Sequence, residues 1–338
     1  MDSLKTLETS APDKGVNESG ESCFTQWLNA DDGVKLFVRN WIPRPAVPPV
    51  PPRAIVHIVH GMAEHSLRYE RLALRLNTAG IAVWAADMRG HGKTADLSVN
   101  DTAQGGLLGH CTDKDAISHI AADIDTLNRA IGKQYPNTPL FLLGHSWGSF
   151  LVQNYIETYR NRLAGCILSG TRGPDGLKIK AGVPLMTTLA ALRGRNGSFL
   201  ARAMADGHYS RPFKPSRTAF DWLSRDEKEV DAYIADPFCG KLCSSVFYRD
   251  LLLLLNKIHR PEALVTIKRE LPIYVFGGSA DPVGDMGNSP TALVNAYRSI
   301  GIQDLEFVLY PDARHETLNE TNREEVTENL LVWILKHC

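Results

Sequence analysis

Leu140-Phe141-Leu142-Leu143-Gly144-His145-Ser146-Trp147-Gly148-Ser149-Phe150-Leu151 decides how the rest of this chain is read. Four apolar residues come first, then a glycine on each side of His145-Ser146-Trp147, then a helix-like pattern running to about Arg160. That order reads as strand, sharp turn, helix. A serine hydroxyl is a poor nucleophile unless it is exposed in a tight turn and paired with a base. Gly144 and Gly148 permit such a turn, because a Cβ at either place would run into neighbouring backbone. The bare Gly-x-Ser-x-Gly pattern is common. Its place between a strand and a helix makes Ser146 a candidate nucleophile rather than a serine that merely caps a helix.

The flanking sequence repeats that alternation. Phe24 to Leu28 and Lys35 to Trp41 read as two strands joined by the turn Asn29-Ala30-Asp31-Asp32-Gly33. The proline-rich stretch Pro43 to Pro52 reads as a stiff connector. Ala54 to His60, Ile81 to Ala86, Gly165 to Ser169, Ile273 to Phe276 and Leu305 to Tyr310 are apolar runs too continuous for a sheet with one wet face. Between them lie helix-like stretches at Tyr69 to Ala79, Ala116 to Tyr135, Thr291 to Ile300 and Asn322 to Lys336. The expected fold is therefore α/β, a mostly parallel, doubly wound sheet of eight strands. Residues 172–268 contain no convincing buried strand, only segments rich in Leu, Ala, Met and Phe, and read as a helical cap inserted after the sixth strand. Ser224-Arg225-Asp226-Glu227 has capping-box spacing and is expected to open one of its helices. The expected organisation is a polar tail over 1–22, a core over 23–171 and 269–338, and the cap over 172–268.

A serine nucleophile in this setting needs an acid and then a histidine further along the chain. Asp281 stands in Gly277-Gly278-Ser279-Ala280-Asp281-Pro282-Val283, just past a buried strand, where ligand-facing residues of parallel sheets gather. Asp285, deeper in the loop, is the competitor. His315 follows the last strand and is the only histidine between Asp281 and His337. The developing oxyanion needs donors. His60-Gly61-Met62 directly follows a buried strand, so the backbone N–H groups of Met62 and Trp147 are the candidates, with a plain tight turn at Gly61 as the alternative.

Composition bounds the remaining choices. With 43% hydrophobic and 22% charged residues in 338, the chain can build a large core. A net charge of −1 with scattered Lys and Arg gives no field to hold nucleic acid. No apolar run approaches the roughly 20 residues of a membrane span, and Met1 to Lys5 lead into polar sequence unlike a signal peptide. Six dispersed cysteines suit reduced thiols and a cytoplasmic setting. Cys239 and Cys243 form C-x3-C, but no further ligands are clustered beside them, so no metal is expected.

The arrangement resembles the monoacylglycerol lipase and lysophospholipase-like branch of the α/β-hydrolases, which also contains proline-type aminopeptidases. The resemblance spans about Phe24 to Leu335 and rests on His60-Gly61-Met62-Ala63-Glu64-His65-Ser66-Leu67-Arg68-Tyr69, on Asp87-Met88-Arg89-Gly90-His91-Gly92, and on the serine, aspartate and histidine motifs. It implies an α/β-hydrolase fold, structural roles for Asp87 and His91, and Glu64, His65 and Arg68 shaping the loop beside the oxyanion hole. The cap is loosely similar, mainly at Phe220 to Asp226 and Asp236 to Gly240.

These readings give a mechanism: His315 takes the Ser146 proton, Asp281 holds the imidazole, and an acyl-enzyme forms with no metal or organic cofactor. The resemblance points to monoacylglycerol or lysophospholipid-like esters, and Gly61, His145, Leu185 and Met186 are the expected substrate contacts. The apolar stretches Ala181 to Leu192 and Phe199 to Met204 read either as acyl-facing or as the cap's own core, and could rest transiently on a membrane or lipid droplet. A peptidase of the same fold needs a cap carboxylate for a substrate amine, for which Glu227, Glu229 and Asp231 are the candidates. A non-catalytic ligand-binding module is the third reading. Oligomeric state is not legible.

Overall fold

The computed structural model describes residues 23–43, 50–159, 163–174, 177–205 and 207–338. The expected polar tail, 1–22, and most of the proline-rich connector lie outside them. Strands β1 (Cys23–Asn29), β2 (Lys35–Trp41), β3 (Ala54–Val59), β4 (Ile81–Asp87), β5 (Leu140–His145), β6 (Gly165–Ser169), β7 (Ile273–Gly278) and β8 (Leu305–Tyr310) form one sheet. Their order is β1-β2-β4-β3-β5-β6-β7-β8. The β1–β2 and β2–β4 pairs are antiparallel and all others parallel.

The continuous apolar runs are explained by burial on both faces. Every residue of β3 and β4 is buried. Alternation sends Phe141 and Leu143 to one layer and Leu142 to the other. The first layer is closed by α1 (Glu70–Thr78) and α10 (Arg323–Lys336), through Leu72, Leu76, Leu330 and Trp333. The second is closed by α2 (Ala116–Gln134), α3 (Trp147–Thr158) and α9 (Asn288–Ser299). On α2 the buried Ile120, Ile124, Leu127 and Ile131 recur every three or four residues, the spacing of one helix face. β8 departs from the sequence reading. It is an edge strand, so five of its six residues are only half-buried.

Between β6 and β7 come α4 (Leu177–Arg193), α5 (Phe199–Ala205), α6 (Glu227–Ala235), α7 (Ser245–Ile258) and α8 (Pro261–Leu264). Phe247, Leu254, Leu255 and Ile258 of α7 join the same core cluster as Phe150, Leu151 and Tyr155 of α3, which seats this insert on the sheet domain. The expected capping box does not form. α6 begins at Glu227, and its cap is Asp226, whose carboxylate accepts from the Lys228 N–H at 3.0 Å. The Ser224 hydroxyl is instead committed to the Asn319 carbonyl, 2.9 Å, while accepting from the Asp226 N–H. α9 starts three residues earlier than its sequence suggests, because Pro290 lies in the first turn, where a missing N–H costs nothing. All six cysteines are unpaired. Among the described residues no helix is long and apolar enough to cross a membrane.

Candidate active site

The sheet order reverses at β3: β4 lies on one side of it and β5 on the other. In open parallel sheets the crevice at the carboxyl ends of such a pair is where ligands bind. Gly61 and Met62 follow β3, and Ser146 follows β5. Ser146 has φ 52° and ψ −123°, a conformation that an L residue adopts at a cost of about 1–3 kcal/mol. The two glycines allow it. A Cβ on Gly144 would come within 2.5 Å of the Gly148 carbonyl, and one on Gly148 within 2.1 Å of the Val59 carbonyl. The turn is thereby pressed against β3, which brings the serine beside Gly61: a Cβ there would stand 3.3 Å from that of Ser146.

Two loops at the other side of β5 complete the arrangement. Gly278 passes so close to the Ala313 carbonyl that no side chain fits between them, and this draws the loop after β7 against the loop after β8. Across that contact, Asp281 Oδ2 lies 2.9 Å from His315 Nδ1, and His315 Nε2 lies 2.8 Å from Ser146 Oγ. The other Asp281 oxygen accepts from the Val283 N–H at 2.8 Å. Asp285, the competing acid, is exposed in the loop. Burial disfavours a charged His315, but the Asp281 carboxylate outweighs it by charge and hydrogen bond, and the imidazole is held above its ordinary value. His145 is different: burial and the neighbouring His315 push it down to about 4, so it stays neutral.

Trp147 is the first residue of α3, where an N–H has no intrahelical acceptor. Its indole is fixed by stacking on His91 at 5.1 Å and by Phe247 at 4.9 Å. Met62 lines the cavity above Ser146 together with Gly61, His145 and His315. Beneath this loop, Asp87 is fully buried and accepts from Arg39, Ser66 and the Lys93 N–H. The Met88 N–H donates to His60 Nε2 at 2.9 Å. These groups brace the loop and do not reach the cavity.

A buried charge cluster stands beside the cavity. Arg68 bridges Glu64 at 2.7 Å and Glu316, bidentate, at 2.7 Å. Glu64 also accepts from the Gly61 N–H at 2.5 Å and from the Tyr69 hydroxyl at 2.8 Å. Burial works against both carboxylates, yet Arg68 holds each of them below the usual carboxyl range. The cluster thus ties the loop after β3 to the residue next to His315.

Two expected substrate contacts stand apart from the cavity. Leu185 is 52% exposed on the outside of α4, and Met186, 2% exposed, is packed into the core; neither lines the cavity over Ser146. The helix presents apolar residues around its circumference, and only its packing on α7 decides which turn inward. The insert instead faces Ser146 with Phe220, Trp222, Tyr233 and Tyr248, joined by Arg202 and Lys241. Trp222 packs on the His315 ring at 5.2 Å. Sequence reasoning missed these, although Phe220 and Trp222 fall in one of the two cap stretches that carried the resemblance. The free space enclosed is about 40 Å³, room for on the order of three waters.

Strand order, the strained serine and the histidine–aspartate pair at the carboxyl ends define an α/β-hydrolase fold. The family model described as "Serine aminopeptidase, S33" matches residues 50–322. The monoacylglycerol lipase of Mycolicibacterium smegmatis is 29% identical over 90% of this chain and 94% of its own length. The monoglyceride lipase of Mus musculus is 30% identical over 90% and 86%. A thermostable carboxyl esterase from Bacillus coagulans superposes with a TM-score of 0.82 at 29% identity, covering 93% of this chain and 98% of that one. The chain belongs to the serine aminopeptidase S33 family.

Proposed function

We propose that the protein is a serine ester hydrolase that cleaves monoacylglycerol or lysophospholipid-like esters through an acyl-enzyme. The reading rests above all on the relay from Asp281 through His315 to Ser146, at 2.9 and 2.8 Å. Ser146 attacks the ester carbonyl as His315 Nε2 takes its proton. The backbone N–H groups of Met62 and Trp147 receive the charge that builds on the carbonyl oxygen. His315 then protonates the leaving alcohol, and water, deprotonated by the same imidazole, releases the acid.

The family's name raises the peptidase alternative, and the charges argue against it. A substrate ammonium needs an uncommitted carboxylate, and the cavity's two, Glu64 and Glu316, are both held by Arg68. Of the cap candidates, Glu229 pairs with Arg71 and Asp231 with Arg217, and none of the three lines the cavity. The named lipase relatives support an acylglycerol instead.

In this reading residues 172–268 act as a cap. The roughly 40 Å³ beneath them does not hold an acyl chain, so they shift to admit one. Leu185, Leu192, Phe199, Leu200 and Met204 stand exposed on α4 and α5 and support transient contact with a lipid surface. Six unpaired cysteines support a reducing compartment such as the cytoplasm.

The test is labelling with a fluorophosphonate, peptide mapping, and turnover of graded-chain monoacylglycerols beside aminoacyl amides. Adduct at Ser146 with ester turnover is expected. A folded protein that takes no label, even with detergent present, or that cleaves only the amides, overturns the reading.

A further inference from the structure

The C-x3-C spacing of Cys239 and Cys243 suggested a metal pair lacking further ligands. The fold separates the two and supplies the ligands to one of them. Cys243 is buried in the main core cluster, whereas Cys239 lies with Leu223 and Tyr233 in a small separate one. Around Cys239 gather Asp236 from the same turn and His65 from the loop after β3. Their donor atoms all lie within 4.8 Å of one another, and His65 Nε2 is 2.8 Å from Asp236 Oδ2. His65 and Cys239 are buried, and the His65 ring is held edge-on by Phe238 at 5.7 Å.

We propose that His65, Asp236 and Cys239 form a site for a thiophilic divalent cation of the zinc class, and that its occupancy pins the insert to the loop carrying Gly61 and Met62. The donors are one imidazole, one carboxylate and one thiol, the mixed set that zinc accepts. Bonds of about 2.0–2.3 Å at tetrahedral angles put neighbouring donors about 3.3–3.8 Å apart, so displacements of about 1 Å or less suffice. Carboxylate and thiolate together balance the ion's charge. The nearby Arg68 does not oppose it, since Glu64 and Glu316 already neutralise that guanidinium.

The step balances simply. The ion replaces the His65–Asp236 hydrogen bond. The proton that His65 Nε2 donates to the Asp236 carboxylate moves to Nδ1, freeing Nε2 to coordinate; Asp236 gives one oxygen, and the Cys239 thiol passes its proton to the buffer. Water takes the fourth position, and no electrons are transferred. The consequence is mechanical. Next to Cys239, the Gly240 N–H already donates to the Ala63 carbonyl at 2.9 Å, and the Tyr233 hydroxyl does so at 3.0 Å. A metal bond across the same seam holds the insert closed over Ser146.

The full-length protein, stripped with chelator and then titrated with Zn²⁺, tests this by calorimetry in two buffers of different ionisation enthalpy, alongside Tm. One ion per chain, release of about one proton per ion and a raised Tm are expected. Co²⁺ in place of Zn²⁺ is expected to give a thiolate-to-cobalt absorption band. Turnover of a long-chain ester is expected to fall with Zn²⁺ and recover with EDTA. Cys239→Ala and Asp236→Asn are expected to weaken binding at least about tenfold, while Cys243→Ala keeps it. Where alanine lowers the metal-free Tm, Cys239→Ser serves as the companion variant. Folded wild-type protein that takes up no ion at stoichiometric Zn²⁺, or Cys239 variants that bind as it does, overturn the proposal.

Discussion

The sheet domain and the insert between β6 and β7 use the same apolar residues under different rules. In β5, alternation alone sends Phe141 and Leu143 to one layer and Leu142 to the other, so the chain that follows can only emerge at the carboxyl end, with Ser146 first in line. In α4 the rule is missing. Met186 and Ala190 turn in, Leu185 and Leu192 stay out, and only the approach of α7 makes the difference. A strand carries its own direction, whereas a helix that is apolar all round borrows direction from its neighbour. In the proposed function, chemistry is therefore set in the sheet domain and access in the insert.

That division can be broken most directly at Ser146, the proposed nucleophile. Ser146→Ala is expected to lower kcat by about 10⁵–10⁶-fold with Tm unchanged, measured on a short soluble ester. Retained turnover would mean that some other group, in the insert or elsewhere, does the chemistry.

Next in size is Asp281→Asn, expected to cost about 10⁴-fold because the imidazole is then held in the wrong tautomer. The pH profile sharpens this. Only neutral His315 can take a proton, so kcat/KM in the wild type falls as pH drops through an imidazole value held above the ordinary 6.5 or so. The variant's acid limb is expected at lower pH, since the main source of the upward shift is gone. For stability the sign is the reverse. The charged pair contributes below about pH 6.5 and fades as pH rises through the folded value.

Arg68→Met probes the seam between the two regions. It strands Glu64 and Glu316 together in a buried site, and a loss of about 3–5 kcal/mol in denaturant unfolding at neutral pH is expected. In the wild type these depressed carboxyls contribute above about pH 4.3, and the contribution disappears as pH falls through their folded values. In the variant the sign inverts, so its deficit should shrink on acidification. A deficit independent of pH would assign the loss to packing instead.

The smallest effect belongs to the insert's outer face. Leu185→Ser with Phe199→Ser is expected to leave stability within about 0.5 kcal/mol per site and turnover of a soluble ester unchanged. Binding to phosphatidylcholine vesicles should weaken. Slower turnover of the soluble ester would return Leu185 to the substrate path.

The legible parts of the molecule are those governed by local rules. Two-sided burial marks the parallel strands, and Gly144 and Gly148 mark the turn at Ser146. Chain order singles out His315, which has no competing histidine before His337. What stayed hidden depends on segments that are distant in sequence. The Arg68–Glu316 pair spans 248 residues and the His65–Asp236 pair 171, and neither residue of either pair looks unusual alone. Ser224 shows the same limit on a smaller scale: its spacing suits a capping box, but Asn319, 95 residues away, claims the hydroxyl.

The backbone seam between insert and sheet domain bears on how far this scaffold can be re-engineered. Leu223 accepts from the Glu316 N–H at 2.7 Å, and Gly240 donates to Ala63, so the insert's main chain helps shape both loops that flank the reacting atoms. A transplanted insert would have to bring those two strips of backbone with it. The Lys241 side chain is the place to begin in suiting the wall to a new ester, whereas Arg202, which donates to the Gly240 carbonyl at 3.5 Å and lies over the Phe220 ring, goes with the chain path at 222–223 and at 240 as part of the frame. Redesign of such a molecule would work on the insert's inner wall and leave its two backbone seams to the frame as they stand.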